Sequence, residues 1–226
     1  MNKSLKAVIF DMDGVIADTV EFYYRANKKV ADEIGVPFDR EFNQKIQGLN
    51  RFKTIEIMLG DKNTNYTYEE KLELAERKNR YYLELIKDLN RSHILPGILE
   101  LLKELKEKRI KTAVASSSSN AKTVLTRLEI IDYFDYIVDI AKIKKGKPNP
   151  EIFLTAAQEL RVSSDCCAAI EDGEAGLKAI QEAGMFSVAV GAHLASSPAN
   201  WHVLSTKEIT LKKLIERFEQ GRQQRG

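Results

Sequence analysis

The sequence predicts an α/β protein in which a doubly wound parallel sheet carries an inserted, all-helical cap domain. Three observations lead to this prediction. A short apolar run, residues 8–10, ends at two aspartates and a glycine. Residues 18–90 then show helical periodicity with no convincing strand, whereas strands and helices alternate from about residue 95 onward. We therefore assign residues 1–17 and 91–226 to the α/β core domain and residues 18–90 to the helical cap domain.

The first predicted strand, residues 8–10, is β-branched and aromatic, as is typical of a strand buried in a parallel sheet. Asp11, Asp13 and Gly14 follow it directly. Ligands of open α/β sheets bind at the carboxyl ends of the strands. Two carboxylates so close together repel each other, so one can stay ionised as a nucleophile or metal ligand while the other exchanges a proton. The alternative is an Asp-rich turn between a strand and a helix.

The block between residues 18 and 90 has helical periodicity and helix start and stop signals. Its first helix is predicted to begin after Asp18 or Thr19 and to end before Gly35. Thr67, three residues before Glu70, forms a capping-box spacing at the start of the longest helix. The predicted helices span residues 20–34, 40–46, 52–59 and 68–89. A helical block placed directly after the aspartates is expected to act as a lid.

The remainder of the chain alternates between the two periodicities, with short loops. Helices are predicted over residues 98–108, 120–128, 150–160, 175–183 and 211–220. Strands are predicted over residues 112–116, 136–138, 167–170 and 187–190. This alternation indicates a parallel sheet with helices on both faces.

Composition excludes several classes of function. The net charge is only +2, from 35 basic and 33 acidic residues, so we expect neither a nucleic-acid partner nor a membrane surface. No apolar stretch is long enough to span a membrane, and the first strand begins too early for a signal peptide, so we expect a cytoplasmic protein. We also expect a monomer. The three histidines lack ligand-like spacing, and the adjacent Cys166 and Cys167 are expected to be small core residues.

Two further polar segments follow predicted strands or precede predicted helices. Residues 116–120, four serines and an asparagine, offer hydroxyls and free backbone N–H groups to an anion at a helix N-terminus, although an ordinary N-cap is the alternative. Lys147 precedes Pro148, which restricts its backbone to an extended form and favours an inward-pointing ammonium. A lysine there neutralises charge on a transferring phosphoryl group, whereas a solvated charge is the alternative.

Glu171 and Asp172 end a predicted strand just as Asp11 ends the first one. Carboxylates from two strand ends that face one crevice are suited to Mg²⁺, which prefers a few carboxylates together with phosphate and water. The alternative for this pair is to cap the following helix.

These motifs together resemble those of the haloacid dehalogenase (HAD) superfamily of phosphotransferases. The first motif of that superfamily matches at Asp11, Asp13, Gly14, Asp18 and Thr19, and the segments at Ser116, Lys147 and Glu171 match the order and spacing of the other three. The resemblance implies a Rossmann-like HAD core with a helical cap, and Mg²⁺ as the cofactor.

The same resemblance implies a role for each matching residue. Asp11 is expected to be the nucleophile that forms an aspartyl-phosphate, and Asp13 the general acid/base. Ser116 and Lys147 are expected to bind the transferring phosphoryl group. The implied metal ligands are Asp11, Asp13 through its carbonyl, Glu171 and Asp172.

Within the superfamily, the cap resembles that of the β-phosphoglucomutases. Gly48 and Arg51 match their loop for the sugar and distal phosphate, Lys78 matches a lid lysine, and Ser118 and Asn120 match core residues at the non-transferring phosphate. The implied substrate-binding residues are Tyr23, Asn27, Gly48, Leu49, Asn50, Arg51, Lys78, Ser117, Ser118 and Asn120. The implied reaction interconverts β-D-glucose 1-phosphate and glucose 6-phosphate through the aspartyl-phosphate and a bisphosphate.

The sequence also departs from that subgroup at four positions. Tyr23 and Asn27 replace a usual histidine and tryptophan, Asn50 replaces a serine, and Ser119 replaces a lysine or arginine. A mutase must keep water away from its aspartyl-phosphate. The alternative function is therefore an Mg²⁺-dependent phosphatase that acts on a small sugar phosphate or a related metabolite.

Overall fold

The computed structural model describes residues 4–223, and residues 1–3 and 224–226 of the predicted core domain lie outside the described part. Within it, the strands form one parallel sheet in the order β3-β2-β1-β4-β5-β6. The chain leaves β1 toward both edges, so the predicted doubly wound topology is confirmed. The strands are β1 (Ala7–Phe10), β2 (Lys111–Val114), β3 (Tyr136–Ile137), β4 (Cys167–Glu171), β5 (Phe186–Val190) and β6 (Trp201–Val203).

Successive residues of the central strand face two different apolar layers. Val8 and Phe10 pack into one buried cluster, and Ala7 and Ile9 pack into the other. A sheet covered on both faces explains why its strands are continuously apolar rather than alternating. The helices that cover it are α5 (Ile98–Glu107), α6 (Ala121–Arg127) and α9 (Leu211–Gln223) on the first face, and α7 (Glu151–Glu159) and α8 (Glu174–Glu182) on the second.

The segment between β1 and α5 is helical, as predicted, and it has its own apolar cluster. Helix α4 packs against both α1 and α3. The expected capping box at the start of α4 is present, because Thr67 accepts from the Glu70 amide and the Glu70 carboxylate accepts from the Thr67 amide. The helices are α1 (Val20–Glu33), α2 (Arg40–Lys45), α3 (Arg51–Leu59) and α4 (Tyr68–Leu85).

Two linkers connect the helical segment to the sheet, and they lie side by side. The Asp18 amide donates to the His93 carbonyl at 2.8 Å, and the Leu95 amide donates to the Ile16 carbonyl at 2.9 Å. The chain therefore leaves and re-enters the core at one place. The domain boundaries after residues 17 and 90 stay predictions.

Several predicted element boundaries differ from the structure by a few residues, and two differences have a clear physical reason. Helix α4 ends at Leu85 rather than at residue 89. The apolar Ile86 and Leu89, which continue the helical pattern in the sequence, are buried, but they lie in a tight turn after the helix. Strand β6 was not predicted, because three residues at a sheet edge give too short an apolar pattern. None of the helices in residues 4–223 is both long and apolar enough to cross a membrane.

Two neighbouring residues on α7 test the packing of the second face. Phe153 is fully buried, whereas Leu154 is 42% exposed. We expect Phe153→Ala to lower the free energy of unfolding by about 3–5 kcal/mol, because it leaves a cavity against the sheet. Leu154→Ala should change it by less than about 0.5 kcal/mol. Urea unfolding of both variants measures the difference, and equal losses would contradict this packing.

Candidate active site

The loop after β1 is compact because it folds back on one carbonyl group. The Met12 carbonyl accepts from the amides of Ile16 and Ala17 at 2.8 and 2.9 Å. Gly14 lies in this loop with a φ of +80°, and a Cβ atom there would overlap the carboxylate of Asp172. The glycine of the first motif therefore brings the loop of β1 against the loop of β4.

Lys147 connects the same two strand ends. Its Nζ lies 2.5 Å from Asp11 Oδ1 and 2.7 Å from Glu171 Oε2, and its side chain is fully buried. Burial alone lowers the pKa of this ammonium, but the carboxylates of Asp11 and Glu171 more than offset that effect and hold the pKa above its ordinary value. Lys147 is therefore charged, and it points inward as the sequence predicts.

Three buried carboxylates form a group that fits a divalent cation. Oxygens of Asp11, Glu171 and Asp172 all lie within 4.8 Å of one another. Burial raises the pKa of both Glu171 and Asp172, and the neighbouring carboxylates raise it further. Within residues 4–223, Asp172 Oδ1 is buried without a hydrogen-bond partner. An unpaired oxygen among closely spaced carboxylates is what a hard cation with oxygen ligands requires.

Asp13 is suited to proton transfer. Burial, followed by the charge of Asp11, raises the pKa of its carboxyl group to about 7, against the opposing hydrogen bond from Thr19. That bond is 2.5 Å long, from Thr19 Oγ to Asp13 Oδ1. A carboxyl group with a pKa near neutrality can both accept and donate a proton at physiological pH.

A cavity lies between the cap and the core. It brings together most of the predicted site residues. The predicted residues that line it are Asp11, Asp13, Tyr23, Asn27, Gly48, Leu49, Arg51, Lys78, Ser116, Ser117, Ser118 and Asn120. Asn50 is not among the lining residues. Its side chain instead caps α3 by accepting from the Lys53 amide at 2.9 Å.

The serine loop, residues 117–120, is hydrogen-bonded to the cap along its whole length. Ser117 donates to the Gly48 carbonyl at 2.6 Å, and the Tyr23 hydroxyl donates to Ser118 Oγ at 2.7 Å. The next two bonds run from Arg51 to Ser119 and from Asn120 to Asn79. Four consecutive core residues therefore contact four separate positions of the cap.

A further cap–core bond lies at the other side of the site. Gln47 donates to Asp172 Oδ2, so one oxygen of this carboxylate contacts the cap while the other has no partner. Together with the serine loop, this bond closes the cap over the carboxylates.

Comparison with known proteins agrees with this geometry. The family model of haloacid dehalogenase-like hydrolases matches residues 5–184. The chain belongs to the haloacid dehalogenase-like hydrolases. It is 50% identical over 220 residues to the β-phosphoglucomutase of Bacillus subtilis, covering 96% of this chain and 97% of that protein.

Other members of the haloacid dehalogenase-like hydrolases are similar at lower identity. The crystal structure of β-phosphoglucomutase from Clostridium difficile matches with a TM-score of 0.92 and 41% identity, over 96% of this chain and 98% of that one. The phosphorylated carbohydrates phosphatase of Thermotoga maritima is 34% identical, over 80% of this chain and 82% of that protein.

Two of the three cap residues that depart from the mutase pattern, Tyr23 and Asn27, have partners within the cap. Tyr23 stacks on Tyr82 with ring centroids 4.1 Å apart. Asn27 Nδ2 donates to Asn43 Oδ1 at 2.9 Å, while Asn27 Oδ1 is buried without a partner. Tyr23 and Asn27 therefore form a polar part of the cavity lining, at positions where the mutases usually have a histidine and a tryptophan.

Several cavity residues were missed by sequence reasoning. The polar and aromatic ones are Asn43, Gln47, Thr54, Asn79 and Tyr82, and the apolar ones are Val20 and Ile46. Asn43 and Thr54 are polar residues that the structure buries on cap helices, and the sequence pattern did not indicate that burial. A polar side chain at a buried helix position needs a partner, and a cavity that takes a polar ligand supplies one.

Two glycines with positive φ test the contact between the first and last motifs. Gly14→Ala must accept both an unfavourable φ of +80° and an overlap with Asp172, whereas Gly35→Ala, at +64°, meets no atom within 4 Å. We expect both variants to lose about 1 kcal/mol of stability from backbone strain. Only Gly14→Ala should also displace the Asp172 carboxylate, so we expect it to weaken the affinity of the carboxylate group for a divalent cation by at least tenfold in calorimetry. Equal cation affinities in the two variants would show that the loops do not depend on this contact.

Proposed function

We propose that this chain interconverts β-D-glucose 1-phosphate and glucose 6-phosphate. The observation that carries the proposal is the closed cap, which is hydrogen-bonded to four consecutive residues of the serine loop above Asp11 and Asp13. A mutase needs this closure, because water that reaches an aspartyl-phosphate hydrolyses it. The name of the Bacillus subtilis relative, at 50% identity, supports the same reaction.

The two aspartates divide the chemistry. Phosphorylated Asp11 transfers its phosphoryl group to the 6-hydroxyl of β-glucose 1-phosphate, and Asp13 accepts the hydroxyl proton. The bisphosphate then turns round and returns its 1-phosphoryl group to Asp11, while Asp13 gives the proton back to the oxygen at C1. A pKa of about 7 at Asp13 suits both steps.

Lys147 and Ser116 are proposed to bind the phosphoryl group in transfer. Lys147 already contacts Asp11, so its charge also lies beside the phosphoryl group that Asp11 receives. We propose Mg²⁺ as the cofactor, held by Asp11, Glu171, Asp172 and the carbonyl of Asp13. When bound, Mg²⁺ offsets the repulsion between a carboxylate nucleophile and an anionic phosphate.

The second phosphate is proposed to lie at the cap end of the cavity, against Arg51 and Lys78. Burial, followed by the charge of Arg51, lowers the pKa of the Lys78 ammonium to about 7. Core groups that would bind the same phosphate are Ser117, Ser118 and Asn120. The residues proposed to contact the sugar are Tyr23, Asn27, Gly48 and Leu49, and Asn50 orients their loop by capping α3.

A phosphatase that acts on a small sugar phosphate is the second candidate, and the Thermotoga maritima relative favours it. It uses the same groups and differs only in letting water reach the aspartyl-phosphate. The hydrogen bonds between cap and core favour the mutase, because each of them opposes opening.

The remaining proposals concern the oligomeric state, cellular location and substrate class of the enzyme. We propose a monomer that works in the cytoplasm on a small phosphorylated sugar. Both cysteines are free thiols, which fits a reducing compartment.

Asp11→Asn tests the proposed chemistry. We expect glucose 6-phosphate formation from β-glucose 1-phosphate, with Mg²⁺ and trace bisphosphate, to fall by at least about 10³-fold, because a neutral amide is not a nucleophile. Circular dichroism should show an unchanged fold. Activity near that of the wild type would reject Asp11 as the nucleophile and the proposed function with it.

Tyr23→Phe tests whether the closed cap excludes water from the aspartyl-phosphate. It removes the hydroxyl bond to Ser118 and keeps the stacking on Tyr82. We expect the ratio of released phosphate to glucose 6-phosphate to rise by about two- to tenfold, the worth of one hydrogen bond. Tyr81→Phe is the matched control, because the Tyr81 hydroxyl bonds Glu33 within the cap. An unchanged ratio in Tyr23→Phe would show that this bond does not exclude water.

A further inference from the structure

Arg51, the cap arginine proposed to bind the second phosphate, already has two protein partners. Arg51 Nη1 donates to Glu76 Oε1 at 2.6 Å, and its Nη2 donates to Ser119 Oγ. Arg51 lines the cavity, and its side chain is 25% exposed. The Glu76 side chain is 58% exposed, so this carboxylate meets the guanidinium at the rim. An anion that enters the cavity therefore approaches a guanidinium that is already paired.

The charges at this end of the cavity nearly cancel. Glu76 offsets the charge of Arg51 at close range. Lys78 has no ion-pair partner in the described part of the chain, but its pKa of about 7 leaves it only partly protonated at neutral pH. The cap therefore offers an anion much less than the two full positive charges that its sequence indicates.

We propose that Glu76 weakens the cap's hold on the second anionic group of a bisphosphate. The proposal rests on the proposed function, since it takes Arg51 as the site of that group. A carboxylate and a phosphate compete for the same guanidinium donors and repel each other. A weak hold has a use in this reaction, because the bisphosphate must leave Arg51 and Lys78 each time it exchanges its two ends.

Glu76 has two opposing effects on anion binding, and their relative size sets the sign. Its ion pair orients Arg51, which favours binding, but exposed ion pairs contribute little, and Ser119 also orients the guanidinium. Its negative charge repels a phosphate held by the same guanidinium. The repulsion is the larger effect, so removing the charge tightens binding.

The test measures binding of β-glucose 1,6-bisphosphate by calorimetry with Mg²⁺, in an Asp11→Asn background that prevents turnover. We expect Glu76→Gln and Glu76→Ala to bind it about three- to tenfold more tightly, with the gain shrinking as salt is raised. Glu73→Gln is the matched control. It removes the same charge from the same helix, where Glu73 pairs with Arg77 at 2.8 Å instead of with a cavity residue.

The outcomes separate the two proposals. If the bisphosphate binds, but its affinity for Glu76→Gln is equal to or weaker than its affinity for Glu73→Gln, the role of Glu76 is rejected and the proposed function stands. If the folded proteins bind no bisphosphate at all, the proposed function fails and this inference fails with it. Tighter binding in both Glu76 variants, sensitive to salt and absent from the control, supports the proposal.

Discussion

The site depends on one buried ammonium placed between two buried carboxylates. Lys147 contacts Asp11 and Glu171, which come from the ends of two adjacent strands. Asp172 adds a further buried carboxyl group, and Asp13 adds a half-buried one. Four acids around one base are costly in a dry interior unless a proton or a cation compensates for them. The raised pKa values of Asp13, Glu171 and Asp172 express that cost. The same excess of negative charge makes the cluster suited to a divalent cation.

The closed cap keeps this cluster dry, and it does so with groups that are themselves suited to phosphate. Ser118, Ser119 and Asn120 are hydrogen-bonded to Tyr23, Arg51 and Asn79. A phosphate that enters must therefore exchange these bonds for its own. We therefore expect substrate binding and cap opening to depend on the same hydrogen bonds. The strength of these few polar contacts would then decide whether the phosphoryl group is transferred to sugar or to water.

The core of the site could be predicted from the sequence because topology alone brings its parts together. Asp11, Ser116 and Glu171 end or follow β1, β2 and β4, which are neighbours in a parallel sheet. The cap contacts could not be predicted in the same way. The bonds of Gln47 to Asp172 and of Arg51 to Glu76 depend on how the cap sits on the core and on how α3 sits beside α4. Asn50 is a different case, since its role is local: its side chain caps α3, three residues from its partner amide.

The central claim is that the aspartyl-phosphate on Asp11 is sheltered from water by the closed cap. The most direct measurement follows glucose 6-phosphate and free phosphate together, with purified protein, Mg²⁺, β-glucose 1-phosphate and a trace of β-glucose 1,6-bisphosphate. The account predicts fast formation of glucose 6-phosphate with little free phosphate. Free phosphate as the main product would contradict it and make the chain a phosphatase.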